Sequence, residues 1–214
     1  MENSRLLFAF DKKSMKGAFY VPFFMWGVAL LGILFYASME KDYYNHFIIV
    51  QGIFLPFCCW HLVYRYSELL VHGAEDTLFP YYRKWFFYDI ARYGILYSFL
   101  LIVLLLIIGI KGGGGAAVFD NITLAHLSVL LLFYLFGGLA LLFMMRSVEL
   151  TLAIIFIYTV IEVVTLGTSG LPWPHIFIFL PPLPEDPEMT KKFTFLLLTT
   201  VSMALYVAKK IRLF

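Results

Sequence analysis

The residues that could do chemistry are few, and they are easiest to judge one by one. Glu162 stands alone about two-thirds along an apolar run, Val148–Leu166. A carboxylate inside such a run is expensive and marks a functional position by default. It is expected either to face water at the mouth of a pathway or to be paired or protonated inside a bundle. Asp89 and Arg92 fall at i and i+3, the spacing of a local ion pair, with Arg92 expected to snorkel towards water. The five histidines, His46, His61, His72, His126 and His175, include no His-x-x-x-His pair. A metal or haem site therefore has no support from spacing, and no metal is expected. Gly167-Thr-Ser169-Gly170 has the letters of an intramembrane serine protease, but that chemistry needs a histidine base on a later helix. His175, six residues on in a proline-rich segment, does not supply one. No Gly-x-x-x-x-Gly-Lys-Ser/Thr loop is present to hold nucleotide phosphates. The chain itself is not expected to be an enzyme.

A second group of polar residues lies in one stretch, Tyr66 to Trp85. Glu68, His72 and Glu75 recur at i, i+4 and i+7, a polar stripe. Leu70, Ala74 and Leu78 make an apolar stripe beside it. The spacing predicts an amphipathic helix over Ser67–Phe79, stopped or turned by Pro80. Tyr81, Tyr82, Arg83, Lys84 and Trp85 then read as an interface anchor.

The elements that must position these groups follow from composition. The chain has 214 residues, of which 62% are hydrophobic and 14% charged, with a mean hydropathy of +0.86. A soluble domain is about 25% charged, so these charges are too few to cover a surface in water. That excludes an ordinary soluble domain and a disordered chain. The formal charge of +2 leaves no basic stripe for a nucleic acid. Roughly 20 apolar residues in helix cross a bilayer. Stretches of that kind lie near Phe19–Ser38, Phe47–Tyr64, Phe86–Ile110, Leu124–Met145, Val148–Leu166 and Phe193–Ala208. The expected fold is all-α, a single polytopic domain over 1–214 with six membrane-spanning helices. Arg146–Glu149 leaves only a tight turn between the fourth and fifth.

Basic residues set the orientation. Arg5, Lys12, Lys13, Lys16, Arg65, Arg83, Lys84, Arg92, Arg146, Lys209, Lys210 and Arg212 fall on one side. Lys41, Lys111, Lys191 and Lys192 fall on the other. Both termini are expected in the cytoplasm of a bacterial cell, with the bilayer as solvent. Residues 1–18 form a cytoplasmic lead, either an amphipathic elbow on the inner interface or a frayed tail. No cleavable leader is evident, and the first apolar stretch reads as a retained helix. Residues 66–85 form the inner loop. Residues 167–192 form a hydrophobic outer loop, broken by prolines, in which Trp173–Leu180 is too short to span and too apolar for water. It is expected to dip into the outer leaflet, covered by protein or facing a wet cavity. Cys58 and Cys59 are adjacent, about 100° apart on a helix, and read as packing residues.

This pattern resembles the type-2 ABC transporter permease family, the membrane subunit of bacterial exporters. The matching residues in the inner loop are Glu68, Gly73, Glu75, Thr77, Leu78, Pro80 and Arg83; the chain departs at Ala74–Asp76, where the family keeps Gly-Thr contiguous. The resemblance implies that Ser67–Phe79 is a coupling helix. Its Glu68, His72, Glu75 and Asp76 would lie against a groove in a separate ATP-binding subunit. That subunit would hold the ATP and magnesium, and this chain no cofactor. It also implies a second permease subunit, identical or not, with the pathway between them. Pro172–Pro187 is similar to the family's external re-entrant helices. The alternative is an accessory or sensory membrane protein without an ATPase, or a proton- or ion-linked transporter using Glu162.

Overall fold

The computed structural model describes residues 2–35, 43–71, 75–111, 121–165, 175–178 and 187–213. For 2–6, 43–44, 69, 71, 75–84, 187–189 and 212–213 this description is of the backbone. The fold is all-helical, with no strand among the described residues. The helices are α1 (Glu2–Met15), α2 (Val21–Phe35), α3 (Tyr43–Ile49), α4 (Trp60–Val71), α5 (Glu75–Lys111), α6 (Asn121–Met145), α7 (Val148–Thr165) and α8 (Pro187–Leu213). Six helical paths are long and apolar enough to cross a membrane: Leu7–Phe35, Asn45–Glu68, Trp85–Lys111, Asn121–Met145, Val148–Thr165 and Thr190–Ile211. Large apolar side chains such as Phe24, Phe35, Ile95, Phe99, Ile110, Val164 and Leu205 lie exposed on the outside. Such a surface is compatible with lipid as the solvent.

The second and fourth paths are the centre. Each is 61% buried, against 22–33% for the other four, so the rest wrap around this pair. Close approach at the centre depends on two adjacent glycines in α6. A Cβ on Gly138 would sit 2.4 Å from Cβ of Cys59, and one on Gly137 would sit 3.3 Å from Sδ of Met203 in α8. One glycine admits the second path and the other admits α8. Cys58 and Cys59 are buried and free, as packing residues should be.

The second path is not one uniform helix. A π-helical segment, Val50–Phe54, follows α3, and a 3-10 segment, Leu55–Cys59, leads into α4. Pro56 explains the break, because it has no N–H for the i−4 carbonyl and its ring crowds that turn. The backbone widens before the proline and tightens after it. Gln51 lies in the wide part, and its side-chain Nε2 donates to the Phe47 carbonyl at 3.2 Å.

The other junctions have local causes. Lys16, with φ 49°, separates α1 from a 3-10 turn, Lys16–Tyr20, that enters α2. The tight turn after α6 is present: Arg146 takes φ 53°, and Ser147 caps α7 by accepting the Leu150 N–H at 3.3 Å. Lys111, in the last turn of α5, donates from Nζ to the carbonyls of Ile33, at 3.0 Å, and Leu34 at the end of α2. Free carbonyls at a helix end favour such a cation.

The inner loop differs from expectation. Ser67–Val71 forms the end of α4, and α5 starts at Glu75 and continues through Pro80. Pro80 therefore does not end a helix. His72, Gly73 and Ala74 lie outside the described residues, as does most of the 167–192 loop.

Candidate functional site

Two polar clusters are buried in an otherwise apolar bundle, one near each end. The first lies where α1, α4 and α5 meet. It contains Asp11, Arg65, Asp89 and Arg92, none more than 7% exposed. Arg65 donates from Nε to Asp89 Oδ2 at 2.7 Å and from Nη1 to Asp11. Arg92 donates from Nη2 to Asp11 Oδ2 at 2.5 Å and lies 3.3 Å from Asp89 Oδ1. Two cations and two anions cancel, which is the condition for keeping charges out of water. Tyr93 donates its hydroxyl to Asp11 at 2.6 Å and Tyr66 to Asp89 at 3.2 Å. The Arg92 guanidinium packs over the rings of Phe8 and Tyr93, 4.6 and 4.5 Å from their centroids.

A histidine extends this cluster into the bundle. The His61 ring stacks on Tyr93 at 4.8 Å. Its Nε2 donates to the Phe19 carbonyl at 3.0 Å, leaving Nδ1 to accept the Tyr97 hydroxyl at 2.5 Å. Trp60 donates to the Ala18 carbonyl at 2.8 Å. The 3-10 turn after α1 is thus tied to the second path at two carbonyls.

Several expectations change here. Asp89 and Arg92 do pair, but Arg92 does not snorkel; it turns inward because Asp11 and Asp89 supply counter-charge in the bundle. Residues 7–15 of the lead are not frayed but helical, with Asp11 inserted and Phe10 left 53% exposed. Glu68 is exposed and accepts the Ser14 hydroxyl of α1. Glu75, Asp76, Thr77, Pro80 and Arg83 belong to the first turns of α5, and their side chains lie outside the described residues, as do His72 and Gly73. Sequence reasoning missed Asp11 and Arg65 as buried groups. The available signal was their setting, Asp11 next to Phe10 and Arg65 between Tyr64 and Tyr66.

The second cluster surrounds residues 175–178. This short piece of the 167–192 loop is irregular rather than helical, and all four residues are buried. Irregular backbone among apolar side chains must find partners for its polar groups. Three helical paths supply them. Glu162 of α7 accepts the N–H groups of Ile176 and Phe177 on Oε2, at 3.2 and 3.3 Å. His126 of α6 donates from Nε2 to the Ile176 carbonyl at 2.7 Å. Gln51 accepts the Ile178 N–H at 2.9 Å and returns Nε2–H to the Ile178 carbonyl at 2.9 Å. His175 Nδ1 lies 3.5 Å from the second Glu162 oxygen.

Glu162 is fully buried. It is paired inside the bundle and does not face water, because two peptide N–H groups and a histidine take the place of solvent. The covered irregular segment fits the expectation for Trp173–Leu180 over the part described. The likeness of Pro172–Pro187 to re-entrant helices finds no helix at residues 175–178. Gln51 was missed by sequence reasoning, although it is the only amide side chain within Phe47–Tyr64. Ser169 lies outside the described residues. No group of three or more metal-ligating side chains occurs among the described residues.

Between α6, α7 and α8 lies an apolar cavity of about 260 Å³, lined by Phe133, Tyr134, Gly137, Tyr158, Phe195 and Met203 among others. Tyr134 and Thr159 close a hydrogen bond of 3.0 Å across its wall.

No protein-family model, no curated protein and no solved structure matches the chain. The two clusters and the bundle that holds them are therefore the basis for a functional reading.

Proposed function

We propose that the chain is the membrane-spanning permease subunit of a bacterial ABC exporter, coupled through residues 66–85 to a separate ATP-binding subunit. The observation that carries this reading is the tetrad of Asp11, Arg65, Asp89 and Arg92. Arg65 and Asp89 come from the two helices that precede and follow residues 72–74 in the chain, and their 2.7 Å contact joins those helices. Asp11 adds α1 to the same knot. Force applied to the loop would reach three helices as one body, which is what a coupling contact requires. Both termini and the loop would lie in the cytoplasm. Two permease subunits would form the pathway, and ATP hydrolysis would belong to the partner, moving the bundle between two packings.

The test is a crosslink. Ala74→Cys should form a specific adduct with the ATP-binding subunit that co-purifies with the protein, and the yield should change with nucleotide. No adduct in any nucleotide state sinks the proposal. Arg83→Ala and Pro80→Ala should uncouple ATP hydrolysis from export without affecting membrane insertion.

A specific observation also favours a second reading, a proton-linked transporter. Glu162 is a fully buried carboxylate 3.5 Å from a histidine, an arrangement able to hold and pass a proton. Glu162→Gln should then abolish proton-linked flux in proteoliposomes; unchanged flux removes this reading.

A further inference from the structure

Helices α7 and α8 both pack on α6 and, among the described residues, hardly touch each other. The apolar cavity of about 260 Å³ occupies the gap between them. Its floor is α6 around Gly137, which brings no side chain into the gap; a Cβ there would already meet Met203 Sδ at 3.3 Å. Ile154 of α7 and Phe195 of α8 line the cavity and are also exposed. Its mouth therefore opens on the outer surface of the bundle. The lining takes residues 133–141 from α6, 154–158 from α7 and 195–203 from α8. All lie within the apolar spanning paths, and none is at the end of one. In a bilayer the mouth faces hydrocarbon.

Three hydroxyls belong to the lining, and each is engaged elsewhere. Tyr134 bonds Thr159 Oγ1 at 3.0 Å, Thr199 donates to the Phe195 carbonyl at 2.7 Å, and Tyr158 is hydrogen-bonded to Glu162. Water needs about two to four polar partners in such a place, and neither it nor the polar end of a ligand finds a set here. Size narrows the occupant further. A cavity of about 150 Å³ holds one benzene ring, so 260 Å³ is more than one side-chain ring from a second copy would fill. A flexible hydrocarbon chain follows the gap and gains dispersion contacts on three sides.

We propose that the groove between α7 and α8 is a binding site for one acyl chain of a membrane phospholipid, which completes the packing of α6, α7 and α8. The site needs neither an ATPase nor a second permease subunit, so its test is separate from that of the coupling role.

The experiment uses the full chain in phospholipid nanodiscs containing a trace of phosphatidylcholine with a diazirine midway along one acyl chain. Photolysis and peptide mapping should place label on Phe133, Leu141 and Tyr158. Two variants fill the groove from opposite walls, Thr199→Trp from α8 and Ile154→Trp from α7. Each should lower the label on Phe133 and Leu141 about tenfold, because the chain loses its enclosing contacts. Label on Phe99 and Ile102, exposed on α5, should not change. Comparing the same residues across samples cancels their differences in reactivity. Melting temperature identifies a variant that has lost its fold. The unaltered protein supplies an independent reading: washed into detergent before photolysis, it should keep the groove label while Phe99 and Ile102 lose theirs.

Groove label that is undiminished in the folded variants, or that washes away together with the label on α5, overturns the proposal, since lipid passing over an open surface behaves in that way. An unlabelled groove overturns it too, and a Leu198→Cys crosslink between copies would then assign the groove to a second copy of the chain.

Discussion

The two buried clusters solve the same problem in opposite ways. Near the α1 end, side chains neutralise side chains: four formal charges cancel among Asp11, Arg65, Asp89 and Arg92. Around residues 175–178, side chains satisfy main chain, and one carboxylate carries the only formal charge among the groups that bind the segment. The first arrangement depends on charge balance and joins whole helices. The second depends on hydrogen-bond capacity and holds irregular backbone at residues 175–178. A joint between helices and a tie for irregular backbone are therefore built into one bundle.

Isosteric amides should separate them most sharply. Asp89→Asn leaves the tetrad with one uncompensated buried cation and should cost about 3–5 kcal/mol. Glu162→Gln keeps an oxygen for the two peptide N–H groups and should cost about 1–2 kcal/mol. Denaturant-induced unfolding in mixed micelles measures both. Equal losses would erase the distinction between charge balance and bond capacity.

Arg65→Lys preserves charge but loses the fork that reaches Asp11 and Asp89 together. An intermediate loss of about 2 kcal/mol is expected on the same scale. A loss as large as that of Asp89→Asn would mean geometry matters there more than charge.

Gly138→Ala tests the frame between the clusters. The new methyl would meet Cys59 at 2.4 Å, so overpacking of about 1–3 kcal/mol is expected. Gly138→Ala with Cys59→Gly should recover most of that loss. The smallest effect belongs to Ser147→Ala, which removes the cap of α7 for about 1 kcal/mol and should leave both clusters intact. A loss much larger than that would tie α7 and Glu162 to this turn more closely than its cap alone explains.

The helices were legible because apolar runs of spanning length have few alternatives. Glu162 was legible as a residue of consequence for the same reason, a lone charge in such a run. Its partners were not. They belong to residues 175–178, fourteen and fifteen positions away, and main-chain donors carry no letter in a sequence. Asp11 was missed because it stands among Lys12, Lys13 and Arg5 in a lead that reads as an interfacial elbow or a frayed tail. Only the fold brings it beside Arg65 and Arg92, 54 and 81 positions on. Pro80 was read as stopping or turning the chain, yet α5 passes through it. A proline near a helix start removes one donor and leaves later turns free to form.

The irregular middle of the second path has a mechanical consequence. Gln51 and Arg65 are fourteen residues apart on the same path and serve the tie and the joint respectively. In a uniform helix each residue turns the chain by about 100°, so the azimuths of those two side chains would be locked together. The π-to-3-10 transition around Pro56 acts as a phase adjuster between them. Its wide and tight turns let each half point at its own target, and a change in winding there would rotate one end against the other while also altering the rise between them.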